Sequence, residues 1–233
     1  MMSPLLLPLM PRSVRVSAYG LREGLLLEMV GDSGPLAADP LRAMREFVDR
    51  CQGDHRHVEQ VRVLALTLFD RLHGAIGADP AERSLLEAAS LLHDVGQVVS
   101  YRAHHRHSYQ LIMHADRLSL PARDRALVAL ISRYHRKKGP ISKHKEFARL
   151  PEADQALVRR LAGVLRVADG LDRGHSAAVH HVTTRLTRDA LSIRASPQTA
   201  RTDLSLEIWG ASRKADVLER VLSRRVTIAA AGS

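Results

Sequence analysis

Residues 91–99 read LLHDVGQVV. A histidine and an aspartate, His93 and Asp94, stand side by side at the end of an apolar run, just before Gly96. Two ionisable groups are costly at core positions, because each gives up several kcal/mol of hydration unless a partner replaces the water. A metal ion is such a partner. Neutral imidazole and ionised carboxylate are the forms these side chains take near neutral pH, and both are good ligands.

Helical periodicity dominates on both sides of this stretch, from about Leu41 to Asp172. A helix over 55–72 carries Val61, Leu64, Ala65, Leu68, Phe69 and Leu72 on one stripe, and His57 shares it, four residues before Val61. A second helix runs from Pro80 to about Val95. Asp79 suits its cap, Pro80 its first position and Glu82 a capping box, and Gly96 suits its end. In a third, over about 106–115, His107 precedes Leu111 by four. A fourth covers 122–135, with Leu127, Leu130, Ile131 and Tyr134 on one face, and His135 follows Ile131 by four. The fifth spans about 154–171 with Leu157, Leu161, Val164, Leu165 and Ala168, and Asp169 follows Leu165 by four. His57, His93, Asp94, His107, His135 and Asp169 are thereby expected to face one core. Any one of these histidines alone reads more readily as a hydrogen-bonded core or surface residue. Their coincidence points to a metal site. A His/Asp set without sulfur favours Mn, Fe, Co, Ni or Mg over structural zinc.

After His175 the pattern changes. VHHVTTRLTRDALSIRAS (179–196) and DLSLEIWGA (203–211) alternate apolar and polar residues and read as strands, and SRKADVLERVLSRRVTI (212–228) reads as a helix and a short final strand. At the other end, residues 14–16 look strand-like, 20–29 read as a turn and short helix, and 30–40 as a linker. The expected fold is mainly α, in three parts. Residues 1–40 form a strand, helix and linker, 41–175 a helical bundle, and 176–233 a small α+β appendage.

The 233 residues are 45% hydrophobic and 26% charged, the composition of an ordinary globular chain. One cysteine, Cys51, excludes an internal disulfide and fits a reducing cytoplasm. A net charge of +10 points to anionic partners. With one Trp, four Tyr and three Phe, stacking along single-stranded nucleic acid is a poor fit, and no recognition motif supports nucleic acid. The opening MMSPLLLPLMPRSV lacks a basic region before its apolar residues, and prolines interrupt it, so a signal segment is not expected. Nor does any stretch approach 18 uncharged apolar residues, so no membrane span is expected. A cytoplasmic protein follows.

The order His57, His93–Asp94, Asp169 resembles that of the HD-domain metal-dependent phosphohydrolases. Extra histidines before the last aspartate, here His107 and His135, are similar to the branch that binds two metals. The stretches HHRHSYQLI, RYHRKKGP, LRVADGLDRGH and SAYGLREGLLLE look like the C-terminal half of the exopolyphosphatase/guanosine pentaphosphate phosphohydrolase family, and this similarity runs from about Val14 almost to the end. In that family an N-terminal actin-like ATPase-fold domain carries the exopolyphosphatase chemistry on glycine-rich phosphate loops. This chain has no such loops and is expected to begin where that domain would end, with GLREGLLLEM as its remnant.

The resemblance implies an HD-type bundle holding a divalent metal centre of two ions. Asp94 bridges them as the catalytic carboxylate, with His57, His93 and Asp169 on one ion and His107 and His135 on the other. Two ions about 3.5–4 Å apart lower the pKa of a shared water and clamp a phosphoryl group for in-line attack. No protein nucleophile is then needed, in keeping with the absence of a GxSxG elbow and of any motif around Cys51.

Arg133, Arg136, Lys137 and Lys138 flank His135, Arg102 and Arg106 precede His107, and Arg173 follows Asp169 by four. Of these, Arg133, Arg136, Lys137, Lys138 and Arg173 are the expected ligands of a nucleotide or polyphosphate tail. His104 and His105 are expected behind the ligands or at the surface, and His55, His73, His114, His144, His175, His180 and His181 carry no positional argument. The alternative is a regulatory module that grips polyphosphate or an alarmone without cleaving it. A homodimer through the appendage or the apolar N-terminal segment is a further expectation.

Overall fold

Three aspartates open the first helical segments. In this computed structural model, which describes residues 39–115 and 118–231, Asp39 Oδ1 accepts from the Leu41 amide at 2.9 Å to start α1 (Pro40–Arg50). Asp54 Oδ1 accepts from the His57 amide at 3.1 Å to start α2 (His55–Leu72). Asp79 Oδ1 accepts from the Ala81 amide at 2.7 Å, capping a 3-10 turn (Pro80–Glu82) that leads into α3 (Arg83–Leu92). Each cap satisfies an amide that the helix itself leaves without an acceptor. Glu82 does not fold back to complete a capping box; its carboxylate takes a 2.6 Å contact from Arg160. The strand, helix and linker expected before residue 39 lie outside the described residues.

The stretch LLHDVGQVV is a helix end. The α-helix stops at Leu92, and His93 and Asp94 lead into a 3-10 turn (Val95–Val98). Gly96 is required there by close approach: a Cβ on it would stand 2.2 Å from the His104 carbonyl oxygen and 2.3 Å from the Ser108 nitrogen. Its amide instead donates to Ser108 Oγ at 2.9 Å. The first turns of α4 (His104–His114) are thereby seated against the HD turn, and α4 starts two residues before the expected 106.

The helices α5 (Ala122–Arg133), α6 (Lys145–Ala148) and α7 (Glu152–Gly170) complete the bundle. In α7, Leu157, Leu161, Val164, Leu165 and Ala168 are all buried, packed against α2, α3 and α5. Each large apolar side chain so buried contributes about 1.5–3 kcal/mol.

The C-terminal residues add a three-stranded sheet. β1 (Val179–Leu186) and β2 (Ala190–Pro197) form an antiparallel hairpin, and β3 (Arg225–Ala230) lies parallel to β2, giving the order β1-β2-β3. A parallel pair needs a crossover, and α8 (Ser205–Ser212) and α9 (Asp216–Leu222) supply it. The stretch 203–211, expected as a strand, is therefore mostly helix. Its alternation is only apparent: Leu204, Glu207, Gly210 and Ala211 are buried at helical spacing, while Leu206 and Trp209 are 50% and 52% exposed. Small residues make the contact. A Cβ on Gly170 would lie 2.5 Å from Ala211 Cα, and one on Gly210 would lie 2.7 Å from the Gly170 oxygen.

One hydrophobic cluster runs from Met44 in α1 to Ile228 in β3, through bundle and sheet alike. Arg166, buried in α7, ties the halves together by donating to the Tyr134 carbonyl at 3.0 Å, the Lys214 carbonyl at 3.2 Å and Asp216 Oδ1 at 2.7 Å. Among the described residues no helix is long and apolar enough to cross a membrane.

Candidate metal centre

Four buried imidazoles turn their Nε2 atoms toward two carboxylates. His57 comes from the first turn of α2, His93 and Asp94 from the end of α3, His104 from the start of α4, His135 from just past α5, and Asp169 from the last turn of α7. His57 Nε2 stands 3.2 Å from His93 Nε2, 3.6 Å from Asp169 Oδ1 and 3.8 Å from Asp94 Oδ2. On the other side of Asp94, Oδ1 is 3.0 Å from His104 Nε2 and 3.4 Å from His135 Nε2, and those two nitrogens are 3.1 Å apart. The atoms fall into three overlapping sets with metal-ligand spacing, His57/His93/Asp169, Asp94/His104/His135 and His57/Asp94/His175.

Every one of these rings has its other nitrogen occupied. His57 Nδ1 donates to Asp172 Oδ2 at 2.8 Å, His93 Nδ1 to the Ser90 carbonyl at 2.8 Å, His104 Nδ1 to the Tyr101 carbonyl at 3.1 Å and His135 Nδ1 to the Ser132 carbonyl at 2.6 Å. In a neutral ring a proton on Nδ1 leaves the Nε2 lone pair facing inward, the arrangement by which surrounding groups orient a metal-binding histidine. Burial pulls His93 below the ordinary imidazole range and His135 well below it, toward the neutral form that ligates a metal.

Lone pairs converging on carboxylate oxygens repel unless a cation lies between them. Asp94 Oδ1 is buried and accepts no aligned hydrogen bond, despite the three imidazole nitrogens within 3.7 Å. Burial alone would raise Asp94 and Asp169. The His93, His104 and His135 imidazoles hold Asp94 far below the usual range, and Lys214, His57 and His135 do the same for Asp169. At His57 burial acts downward, but Asp169, Asp172 and Asp94 outweigh it and push the ring up to about 10. A proton on His57 and the ammonium of Lys214 against Asp169 thus supply positive charge at this cluster. The donor set fits a divalent ion, which would take the place of both.

A cavity of about 320 Å³ opens over the cluster. Arg136, Lys137, Arg173, Arg213 and Lys214 line it beside Asp94, Asp169 and His135, and Tyr101 and Trp209 stand at its wall, 62% and 52% exposed. Arg136 Nη1 rests against the His104 ring, 3.0 Å from Nδ1. Gln97 donates to Asp94 Oδ2, fixing that carboxylate. His175 stacks on His57, ring centroids 3.7 Å apart, and hydrogen-bonds Asp54 Oδ2 at 3.1 Å.

Of the residues expected from the sequence, His57, His93, Asp94, His135 and Asp169 lie together, and Arg136, Lys137 and Arg173 line their cavity. His107 does not join them. The buried arc of α4 runs through His104, His105, Ser108, Tyr109, Leu111 and Ile112, so His107 lies off it and His104 occupies the place expected for His107. Arg133 and Lys138 line a different cavity. Asp172, Gln97, His175, Trp209, Arg213 and Lys214 were not expected at all. Asp172 had a signal in its spacing, three residues beyond Asp169; the others have only tertiary packing to reveal them.

Residues 41–209 match the family model of Ppx/GppA phosphatase, domain III. A relative from Vibrio cholerae serotype O1 named guanosine-5'-triphosphate,3'-diphosphate pyrophosphatase is 30% identical over 214 residues, which cover 88% of this chain and 41% of that protein. Bearing the same name, a Pseudoalteromonas atlantica relative is 26% identical over 158 residues, 67% of this chain and 31% of that protein. One from Vibrio campbellii is 30% identical over 129 residues, 54% of this chain and 25% of that protein. The chain thus spans between a quarter and about two fifths of the length of these curated relatives.

Proposed function

The chain belongs to the Ppx/GppA phosphatase family, matching its domain III, and from that premise we propose that it is an HD-type, divalent-metal-dependent phosphohydrolase acting on a nucleotide or polyphosphate-like phosphoanhydride or ester. The observation that carries this reading is the convergence of four Nε2 atoms, each with Nδ1 already donated, on Asp94 and Asp169. The relatives named as pyrophosphatases of a guanosine nucleotide support the substrate class. The single cysteine, buried and free, is in keeping with a cytoplasmic setting.

His57, His93 and Asp169 would hold one ion and His104 and His135 a second, with Asp94 between them. When bound, such ions supply Lewis-acid polarisation of a phosphoryl oxygen and make water nucleophilic near neutral pH. The chain's own residues do the rest. Asp172 and the Ser90, Tyr101 and Ser132 carbonyls fix the four rings, and Gln97 fixes Asp94. Arg136, Lys137, Arg173 and Arg213 surround the cavity with positive charge suited to non-reacting phosphates. Lys214, paired with Asp169 in this structure, would add a further cation to the cavity if an ion took that carboxylate. His175 lines the cavity wall, stacked on His57.

The test is hydrolysis of nucleoside polyphosphates and inorganic tripolyphosphate with Mn²⁺, Mg²⁺, Co²⁺ or Ni²⁺ added to the chelator-treated protein. Turnover that needs the metal and is lost in Asp94→Ala supports the reading. Tight ligand binding with no turnover under any of these ions refutes hydrolysis and leaves the regulatory module.

A further inference from the structure

The cations clustered around His135 in the sequence divide between two cavities. Arg136 lines the metal cavity, whereas Arg102, Arg106, Arg133 and Lys138 line a second one of about 400 Å³, and Lys137 borders both. The wall between them is made of neighbours in sequence. His104 and His135 turn inward to Asp94, while His105 and Tyr134, adjacent to them in the chain, line the second cavity. We propose that this second cavity is a binding site for a compact anion bearing two or more phosphate groups, separate from the metal centre.

Three observations support it. First, the charge is uncompensated: Arg133 pairs with Glu146 at 3.2 Å, but Arg102, Arg106, Lys137 and Lys138 enter no ion pair among the described residues. Four such cations around one cavity repel each other, and a polyvalent anion relieves that repulsion where a single carboxylate would not. Second, His105 is only 9% exposed, yet its Nδ1 is buried without a hydrogen-bond partner. A buried polar atom left so is costly, and an acceptor or donor on a ligand would satisfy it. Third, α4 begins at the cavity wall without a side-chain cap. Ala103, which precedes it at φ 64°, has no side-chain oxygen to offer, so the His104 and His105 amides remain for an anion, the Arg106 amide being taken by the Ala103 carbonyl at 2.8 Å. The cavity volume falls within the usual range of small-ligand sites.

The probe is inorganic tripolyphosphate, titrated calorimetrically into the full chain after divalent ions are removed by a chelator. Arg106→Ser/Lys138→Ser should weaken binding tenfold or more, and by more than Arg173→Ser/Arg213→Ser in the metal cavity, while the charge-matched pair Arg188→Ser/Arg201→Ser, exposed and outside both cavities, should change it less than twofold. Absence of saturable binding by the unaltered chain overturns the proposal, as does a loss that follows the Arg173/Arg213 pair equally or more strongly. Amine labelling of the unaltered chain reads the same site without substitution. Tripolyphosphate should protect Lys138 severalfold, and an unprotected Lys138 at saturating tripolyphosphate contradicts the assignment.

Discussion

His57 Nδ1 donates to Asp172 Oδ2 at 2.8 Å, and Asp172, fully buried, also accepts from the Ala177 amide at 2.8 Å. The aspartate sits one turn beyond the site, fixed by backbone, and aims the imidazole at Asp94 and Asp169. Asp172→Asn keeps the shape but removes the charge and half of the acceptor capacity. Metal affinity should fall about 10- to 100-fold, as for other groups that orient a ligand from behind. Competition of Mn²⁺ between the protein and a chromogenic chelator measures it, and an unchanged affinity would detach Asp172 from the site.

His104 and His107 separate cleanly. His104→Ala removes one of the three imidazoles within 3.7 Å of Asp94 Oδ1, so the variant should retain one metal equivalent where the proposed centre would give two in the unaltered chain. His107→Ala should leave both. Elemental analysis of the purified variants reads the difference directly, and the opposite pattern would restore His107 as the ligand.

Gly96→Ala forces a methyl group into the His104 carbonyl and the Ser108 nitrogen, at 2.2 and 2.3 Å. Both neighbours are backbone, so α4 must move. Overpacking of this kind destabilises by about 3 kcal/mol, read as a lowered midpoint in urea. Because α4 carries His104, the same variant should bind the second ion poorly.

His105 sets a pH dependence. Burial, followed by the charges of Arg136, His104 and Arg106, pushes its imidazole down to about 4. The unfolded chain takes up that proton near 6.5, so between about 4 and 6.5 the unfolded state binds more protons and stability falls as acid is added. In His105→Gln this contribution disappears. Urea midpoints measured from pH 7 to pH 4 should therefore fall less steeply in the variant, and equal slopes would contradict the depressed imidazole.

Cys51 should be inert while the chain is folded. Its thiol is buried and pushed up to about 12 by that burial, and the thiolate is the reactive form. Iodoacetamide at pH 8 should label it at least tenfold faster in denaturant than in buffer; comparable rates would show the α1 end to be open.

Much of the site was legible because helical spacing carries it. His57, His135 and Asp169 each stand four residues from a buried apolar neighbour, and the HD pair announces itself at a helix end. His104 was hidden because it lies in the first turn of α4, ahead of the apolar stripe, whereas His107 could be aligned with Leu111 at the edge of that stripe. Lys214 reaches Asp169 across 45 residues of sequence, a distance over which no periodicity speaks. The helix α8 was misread for a related reason: DLSLEIWGA alternates as a strand would, and only the close approach of Gly210 and Ala211 to Gly170 shows why it coils.

Anomalous diffraction from crystals of the full chain grown with Mn²⁺ tests the metal centre most directly. Two anomalous peaks should flank Asp94, one against His57, His93 and Asp169 and the other against His104 and His135. Density with no anomalous peak within coordinating distance of Asp94, at saturating Mn²⁺, would contradict the centre and the hydrolase built on it.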